Sequence, residues 1–354
     1  SVVIDLTVKE GKEQFLHLLN TADMLLDGSS LGYLDSLGLG AAQLRAIKPE
    51  LIILSITDFG LQGPYKDYKA TEAVHMAMGG ELSRSGTAGN DPLLPPGDLA
   101  LGTAAIQAVW VALLAYWQRL YTGQGDCLDF SINDAVAQIL DPGVGVTGSA
   151  AAGRTAIEVA IQGRPVVDFI PGQLPSLALM YPVFKCVDGY VRACVLNPRQ
   201  WQGMSEWLGP DHVFKHPKYA KPAARLMKSG AINSLIGNLF IDRTREALVL
   251  EGKTRGIPIA SVTQPEELFS DEHFAARDFF VELELAQGLG KIPAGYQRID
   301  GQRVGVRQPA PAVGQNTVAQ FAARLNEAAP TSAEFGSEPI TRRPLEGLLV
   351  LDLG

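Results

Sequence analysis

The feature that most limits what this chain can fold into is the alternation of short apolar runs with helical patterns in its first 60 or so residues. The β-branched run SVVIDLTV predicts a strand over residues 2–6. Residues 9–20 then read as a helix with Phe15, Leu16, Leu18 and Leu19 on its buried side. A strand is expected from Ala22 to Leu26, a helix over 40–47, and a strand from Leu51 to Ile56. Such alternation is the mark of βαβ units, which close as a parallel sheet with helices on its faces. Parallel sheets of this kind bind ligands outside the carboxyl ends of their strands. The loops after Leu26 and Ile56 are therefore the first places to expect a site.

Further along, a long helix is expected over about 99–121, ended by Gly123. The segment CLDFSI reads as a strand, and a helix follows from about Asn133. Residues 141–175 are rich in Gly, Ala and Pro and read as a linker. A hairpin is expected around Asp188-Gly189, then helices near 199–208, 221–228, 231–239 and 243–251. Residues 301–317 are Pro-rich and extended, before a helix at 317–328 and a polar linker at 329–344. The expected organisation is an α/β domain at 1–150, a linker at 151–176 and a smaller α+β domain at 177–300. A segment at 301–330 then returns to the first domain, and 331–354 add a linker and an apolar strand.

Hydrophobic residues make up 46% of the 354, enough for a sizeable core. A net charge of −8 and no dense Lys/Arg block argue against a nucleic-acid surface. The best membrane candidate, 99–117, is interrupted by Gly102, Thr103 and Gln107, so no spanning helix is expected. Cys127, Cys186 and Cys194 lack metal-ligand spacing and read as reduced, buried thiols of a cytoplasmic protein. The five histidines form no metal motif, so no metal is expected. The chain opens on Ser1 with no signal pattern before it, and GLLVLDLG (347–354) stops abruptly. Both ends read as cuts through a longer polypeptide.

One acidic residue stands out. In LLPPGDLALGTAAIQAVWVAL, Pro95, Pro96 and Gly97 force a turn and Asp98 follows at the start of the long helix. On spacing, Asp98 is an N-cap whose carboxylate accepts from the free amides of the first turn. A carboxylate there can equally be a covalent nucleophile, and Gly97 and Gly102 would let a bulky ligand approach the backbone. Spacing and composition leave both readings open.

Several runs together resemble the family III CoA-transferases, which include formyl-CoA transferase, carnitine-CoA transferase and α-methylacyl-CoA racemase. They are ADMLLDGSSLGYLDSLGLG (22–40), IKPELIILSITDFGLQGPY (47–65), GDLALGTAAIQAVWVALLA (97–115), TGQGDCLDFSINDA (122–135), YPVFKCVDGYV (181–191), RGIPIASV (255–262), DEHFAARDFFVELE (271–284) and RQPAPAVGQNT (307–317). The resemblance implies a Rossmann-like parallel sheet, an acyl-CoA and a small carboxylic acid as substrates, and Asp98 as catalytic carboxylate. It also implies that Gly28, Ser29, Ser30, Lys69, Ala70, Thr71 and Glu72 line the CoA site. In it, Lys69 meets a CoA phosphate and Glu72 orients the nucleophile or holds a proton near it; their plain readings are a solvated lysine and a helix N-terminal charge. The family's interlocked dimers imply either such a homodimer or a second fused copy as partner. RRPLEGLLVLDLG (342–354) resembles the opening of a second module, and Ser1 begins after the family's first strand and helix.

The departures are as informative. The family's E-N-F-R-P-G is replaced by Asp27-Gly28-Ser29-Ser30-Leu31-Gly32, and an arginine common in the family by Ser36. Each lost charged contact removes about 1.5–3 kcal/mol of binding. A non-catalytic half of a tandem protein is therefore the competing expectation. The racemase branch has a histidine where Thr71 stands, so racemisation is disfavoured. His75, a helical turn away, is no substitute. The glycine-rich loop of formyl-CoA transferase is replaced by PGQLPS at 171–176.

Overall fold

A computed structural model describes residues 1–85, 91–139, 182–285, 288–306 and 308–320. The chain divides into two compact units. The first is built on three parallel strands, β1 (Met24–Asp27), β2 (Ile52–Thr57) and β3 (Cys127–Ser131), ordered β1-β2-β3. The helices are α1 (Lys9–Leu19), α2 (Tyr33–Ser36), α3 (Ala41–Ile47), α4 (Glu72–Met78), α5 (Leu99–Thr122) and α6 (Ile132–Gln138).

The central strand β2 explains the layering. Leu51 and Ile53 pack with Leu19, Leu39 and Leu44 on one face. Leu54 packs with Ala104, Ala108, Ala112 and Phe130 on the other. A strand buried on both faces must be a continuous apolar run, as LIIL is. The alanine stripe on α5 lets that helix lie close to the sheet. Gly125 does the same for the chain entering β3, since a Cβ there would collide with the Leu51 carbonyl. Lys48, 9% exposed, donates from Nζ to the carbonyls of Asn20 at 2.8 Å and Ala22 at 2.7 Å, just beyond the end of α1. A cation at a helix C-terminus suits the helix dipole, and burial lowers the Lys48 pKa from its ordinary value.

The second unit holds a three-stranded antiparallel sheet of β4 (Val183–Cys186), β5 (Gly189–Ala193) and β6 (Ile259–Ser261). Around it lie α7 (Pro198–Trp207), α8 (Pro222–Leu226), α9 (Ser229–Phe240), α10 (Arg245–Arg255) and α11 (Glu272–Ala276). Two hairpins follow, β7 (Phe280–Leu285) with β8 (Gly288–Pro293), and β9 (Gln297–Ile299) with β10 (Gln302–Val304). The core stacks Phe184 and Trp207 on Phe240, each at 5.3 Å. Arg245 grips Glu267 through both terminal nitrogens, at 2.9 and 2.5 Å, and its backbone amide bonds Asp188. The Arg245 guanidinium holds the Glu267 pKa down to about 2.

The α/β class, the parallel sheet and the Asp188-Gly189 hairpin agree with the sequence reading. The strand at 2–6 does not form. Asp5 Oδ1 accepts from the amide and hydroxyl of Thr7, making a turn that leads into α1. Cys186 is buried, but Cys127 is exposed and Cys194 half-buried, so the buried-thiol expectation holds for only one of them. An 18-residue window of the 24-residue α5 has a mean hydropathy of 1.8, so the helix is long and apolar enough to cross a membrane by length and composition, against expectation. Gly102, Thr103 and Gln107 interrupt the apolar run but leave its mean high, because the residues around them are chiefly Ala, Leu, Ile and Val. Its alanine stripe lies on the sheet in this fold. The β7–β8 hairpin was not expected. The expected linker at 141–175, the PGQLPS run, most of the 317–328 helix, the 329–344 linker and the 347–353 strand lie outside the described residues.

Two outcomes test these contacts. Gly125→Ala should lower stability by about 1–3 kcal/mol, because β3 cannot keep its approach to Leu51; thermal or urea unfolding measures it. Glu267 has a folded pKa below its ordinary 4.5, so its stabilising share is full above pH 4.5 and lost as pH falls toward about 2. The difference in unfolding midpoint between the parent and Glu267→Gln should therefore shrink steadily between pH 5 and about pH 2.

Candidate active site

The carboxyl edge of the β1-β2-β3 sheet gathers most of the residues singled out from the sequence. At the end of β1, Asp27 Oδ1 accepts from the Ser29 amide at 2.9 Å and the Ser29 hydroxyl at 2.6 Å. The loop thus folds on itself as an Asx turn. Gly28 and Ser30 are exposed, Ser29 half-buried, and nothing lies within 4 Å of where a Gly28 Cβ would stand. The hydroxyl proton of Ser29 is directed at Asp27, so that hydroxyl is not a free donor for a ligand.

The end of β2 is more built up. Asp58, absent from the sequence-based site, follows Thr57 directly. Its Oδ2 accepts from the Ala70 amide at 3.0 Å and its Oδ1 meets His75 Nε2 at 3.1 Å. Between them runs a loop turned by Gly60 and Gly63, with φ of 84° and 95°, a region open to glycine at little cost. Leu61 donates to Asp129 Oδ1 at 2.9 Å, tying the loop to β3. Phe59 packs edge-on to Tyr65 and Tyr68 at 5.9 and 6.3 Å. Lys69 and Thr71 are exposed, and Ala70 and Glu72 half-buried. A carboxylate one residue past the central strand of a parallel sheet is the sequence signal that would have found Asp58.

Asp98 occupies the N-cap position of α5, as expected, but its side chain makes no capping hydrogen bond. Its ψ of 62° lies far from the extended backbone a capping residue normally adopts. The first-turn amides are taken by Glu72 instead. Glu72 Oε1 accepts from Ala100 N at 2.7 Å, and Oε2 from Leu101 N at 3.2 Å. The expectation that the Asp98 carboxylate caps the helix is thus corrected: a competing carboxylate from α4 holds those donors. Glu72 is a helix N-terminal charge, but for α5 as well as for its own helix. Asp98 is left exposed beside Gly97, whose φ of 87° requires glycine. Gly102 is open too, with nothing within 4 Å of a Cβ placed on it.

The structure therefore brings Ala70, Glu72 and the start of α5 into one bonded assembly with Asp58. The Gly28–Ser30 loop ends the neighbouring strand β1 but bonds within itself. Thr71 is the N-cap residue of α4 and makes no side-chain cap bond. Among the described residues no group of three or more His, Cys, Asp and Glu is placed to hold a metal ion.

Residues 1–317 match the profile of CoA-transferase family III. The chain is 39% identical over 355 residues to a probable CoA-transferase of Mycobacterium tuberculosis, covering 100% of this chain and 43% of that protein. It is 26% identical over 330 residues to a succinate–glutarate CoA-transferase of Agrobacterium fabrum, covering 92% of this chain and 78% of that one. The chain therefore spans less than half the length of the mycobacterial relative and about three quarters of the other. A crystal structure of a CAIB/BAIF family protein from Brucella suis has the same fold, with a TM-score of 0.70 at 23% identity, over 92% of this chain and 81% of that one. With the sheet, the site-bearing loops and the profile in agreement, the chain belongs to CoA-transferase family III.

Proposed function

We propose that this chain carries the nucleophile of a CoA-transferase that moves CoA from an acyl-CoA thioester to a small carboxylic acid. The observation that carries the reading is the division of labour between two acids. Glu72 holds the α5 amides, so the carboxylate of Asp98 stays out of the cap and faces solvent beside two open glycines. A free carboxylate at a helix N-terminus lies in the positive field of the helix dipole.

In this reading an Asp98 oxygen attacks the thioester carbonyl, the C–S bond breaks, and CoA leaves as thiolate from a mixed anhydride. The thiolate then attacks the Asp98 carbonyl, expelling the donor carboxylate and leaving an aspartyl-CoA thioester. The acceptor carboxylate attacks that carbonyl and releases the thiolate, which attacks the acceptor acyl carbon. Acceptor acyl-CoA leaves and the Asp98 carboxylate is restored. Lys69, exposed beside the Asp58-bound Ala70, would meet a CoA phosphate as a point charge. Gly28, Ser29 and Ser30 would approach the nucleotide by backbone.

A non-catalytic half remains the second reading, favoured by the self-bonded Asp27–Ser29 turn. Racemisation has less support. Thr71 cannot exchange a proton at neutral pH, and His75 is 1% exposed with its Nε2 on Asp58. A second copy, as a dimer or a fused module, fits the uncovered apolar stripe of Ile106, Trp110 and Leu113 on α5.

The full protein should form a covalent adduct at Asp98 after incubation with acyl-CoA and hydroxylamine, read by peptide mass spectrometry. Turnover without any modification there would overturn the reading. Asp98→Asn should abolish both adduct and turnover. Glu72→Ala should cost about 1 kcal/mol of stability, as removal of a cap does, and should lower kcat while leaving adduct formation at Asp98 detectable.

A further inference from the structure

The strongest unused feature is the buried pair beneath the site. His75 is 1% exposed, and its Nδ1 is buried with no hydrogen-bond partner. Its Nε2 lies 3.1 Å from Asp58 Oδ1. A carboxylate only accepts, so Nε2 is the donor in this contact. The ring packs 5.7 Å from Phe59. A leucine or methionine here would bury as much apolar surface and leave no orphaned nitrogen. Packing alone therefore gives no reason for histidine at this place. A buried polar group with an unmade bond calls for another explanation.

The bonds around it supply one. Asp58 stands at the end of the central strand, and the Asn133 amide donates to its carbonyl at 3.0 Å, anchoring α6 to the same point. Through its two carboxylate oxygens Asp58 holds Ala70 and His75. Glu72 lies between those two residues, two after one and three before the other. Fixing both neighbours fixes where the Glu72 carboxylate reaches. Glu72 in turn grips the amides of Ala100 and Leu101, two and three residues after Asp98.

We propose that Asp58 and His75 are a positioning pair that sets the place of the Asp98 carboxylate through Glu72. The proposal rests on the reading of Asp98 as nucleophile. The pair touches no reacting atom. Its effect is on geometry, and a displacement of about 1 Å at a reacting group lowers rates on the order of a hundredfold.

The test compares His75→Leu, His75→Gln and Asp58→Ala in the full protein, each checked for folding by circular dichroism and thermal melting. The glutamine amide can donate to Asp58 from nearly the position of Nε2, and leucine cannot. His75→Leu should lower kcat for CoA transfer at least about tenfold with KM for acyl-CoA within about threefold, and His75→Gln should recover most of the loss. Amide hydrogen exchange at Ala100 and Leu101 should quicken in His75→Leu and stay near the parent rate in His75→Gln. Asp58→Ala, which removes both acceptors, should follow His75→Leu, and it decides the matter if the leucine variant fails to fold. Parent kcat in folded His75→Leu, equal losses in the leucine and glutamine variants, or unchanged exchange at Ala100 and Leu101 would each overturn the pair's role. If the parent itself transfers no CoA, the transfer reading fails, and the exchange rates alone decide the positioning role.

Discussion

Two oxygens of one carboxylate organise this site. The start of a long helix leaves amides without intrahelical partners, and something must accept from them. In this chain the acceptor is Glu72, brought from a different helix across 28 residues of sequence. The choice has a chemical consequence. Had Asp98 bonded its own helix, its oxygens would be engaged by strong donors and less free to attack a carbonyl carbon. With Glu72 in that place, Asp98 keeps the helix-end field without the hydrogen bonds.

That arrangement depends on close approaches lower in the fold. The alanines of α5 bring its axis near β2, and Gly125 lets β3 enter beside Leu51. Larger residues at either point would move the helix start away from α4 and stretch the Glu72 bonds. Asp58 and Asp129 then tie the loop after β2 to α4 and β3. The carboxyl edge is therefore held by side chains at the strand ends, as ligand-binding edges of parallel sheets commonly are.

Much of the frame was legible in the sequence, for local reasons. LIIL is buried on both faces and could hardly be anything but a central strand. Gly123 has φ of 68° and closes α5 where a C-cap glycine should. FVELEL alternates as a half-buried strand does, so β7 is legible from its pattern. The opening VVID run has strand propensity but pairs with no strand among the described residues, and Asp5 turns it toward α1. The site was legible in its residues and not in its bonds. Asp98 at a helix start invites a capping reading, and only the fold reveals a competing acid. The Asp58–His75 contact spans 17 residues and follows no helical or strand period, so no pattern could announce it.

The weakened loop after β1 and the intact acid pair pull in different directions, and the physics of catalysis separates them. Contacts to the distant nucleotide bind ground state and transition state alike, so losing them mainly raises KM. With Asp98 as the proposed nucleophile, the geometry around it would act on the reacting atoms and bear on kcat. On the proposed reading, a chain with Asp27–Ser29 bonded on itself and Glu72 on the α5 amides would lose binding before chemistry. A purely structural module would have no need to leave Asp98 uncapped, because a self-capping aspartate stabilises the helix more simply than an acid reached from α4. The uncapped carboxylate is thus the feature that a merely structural role explains least well.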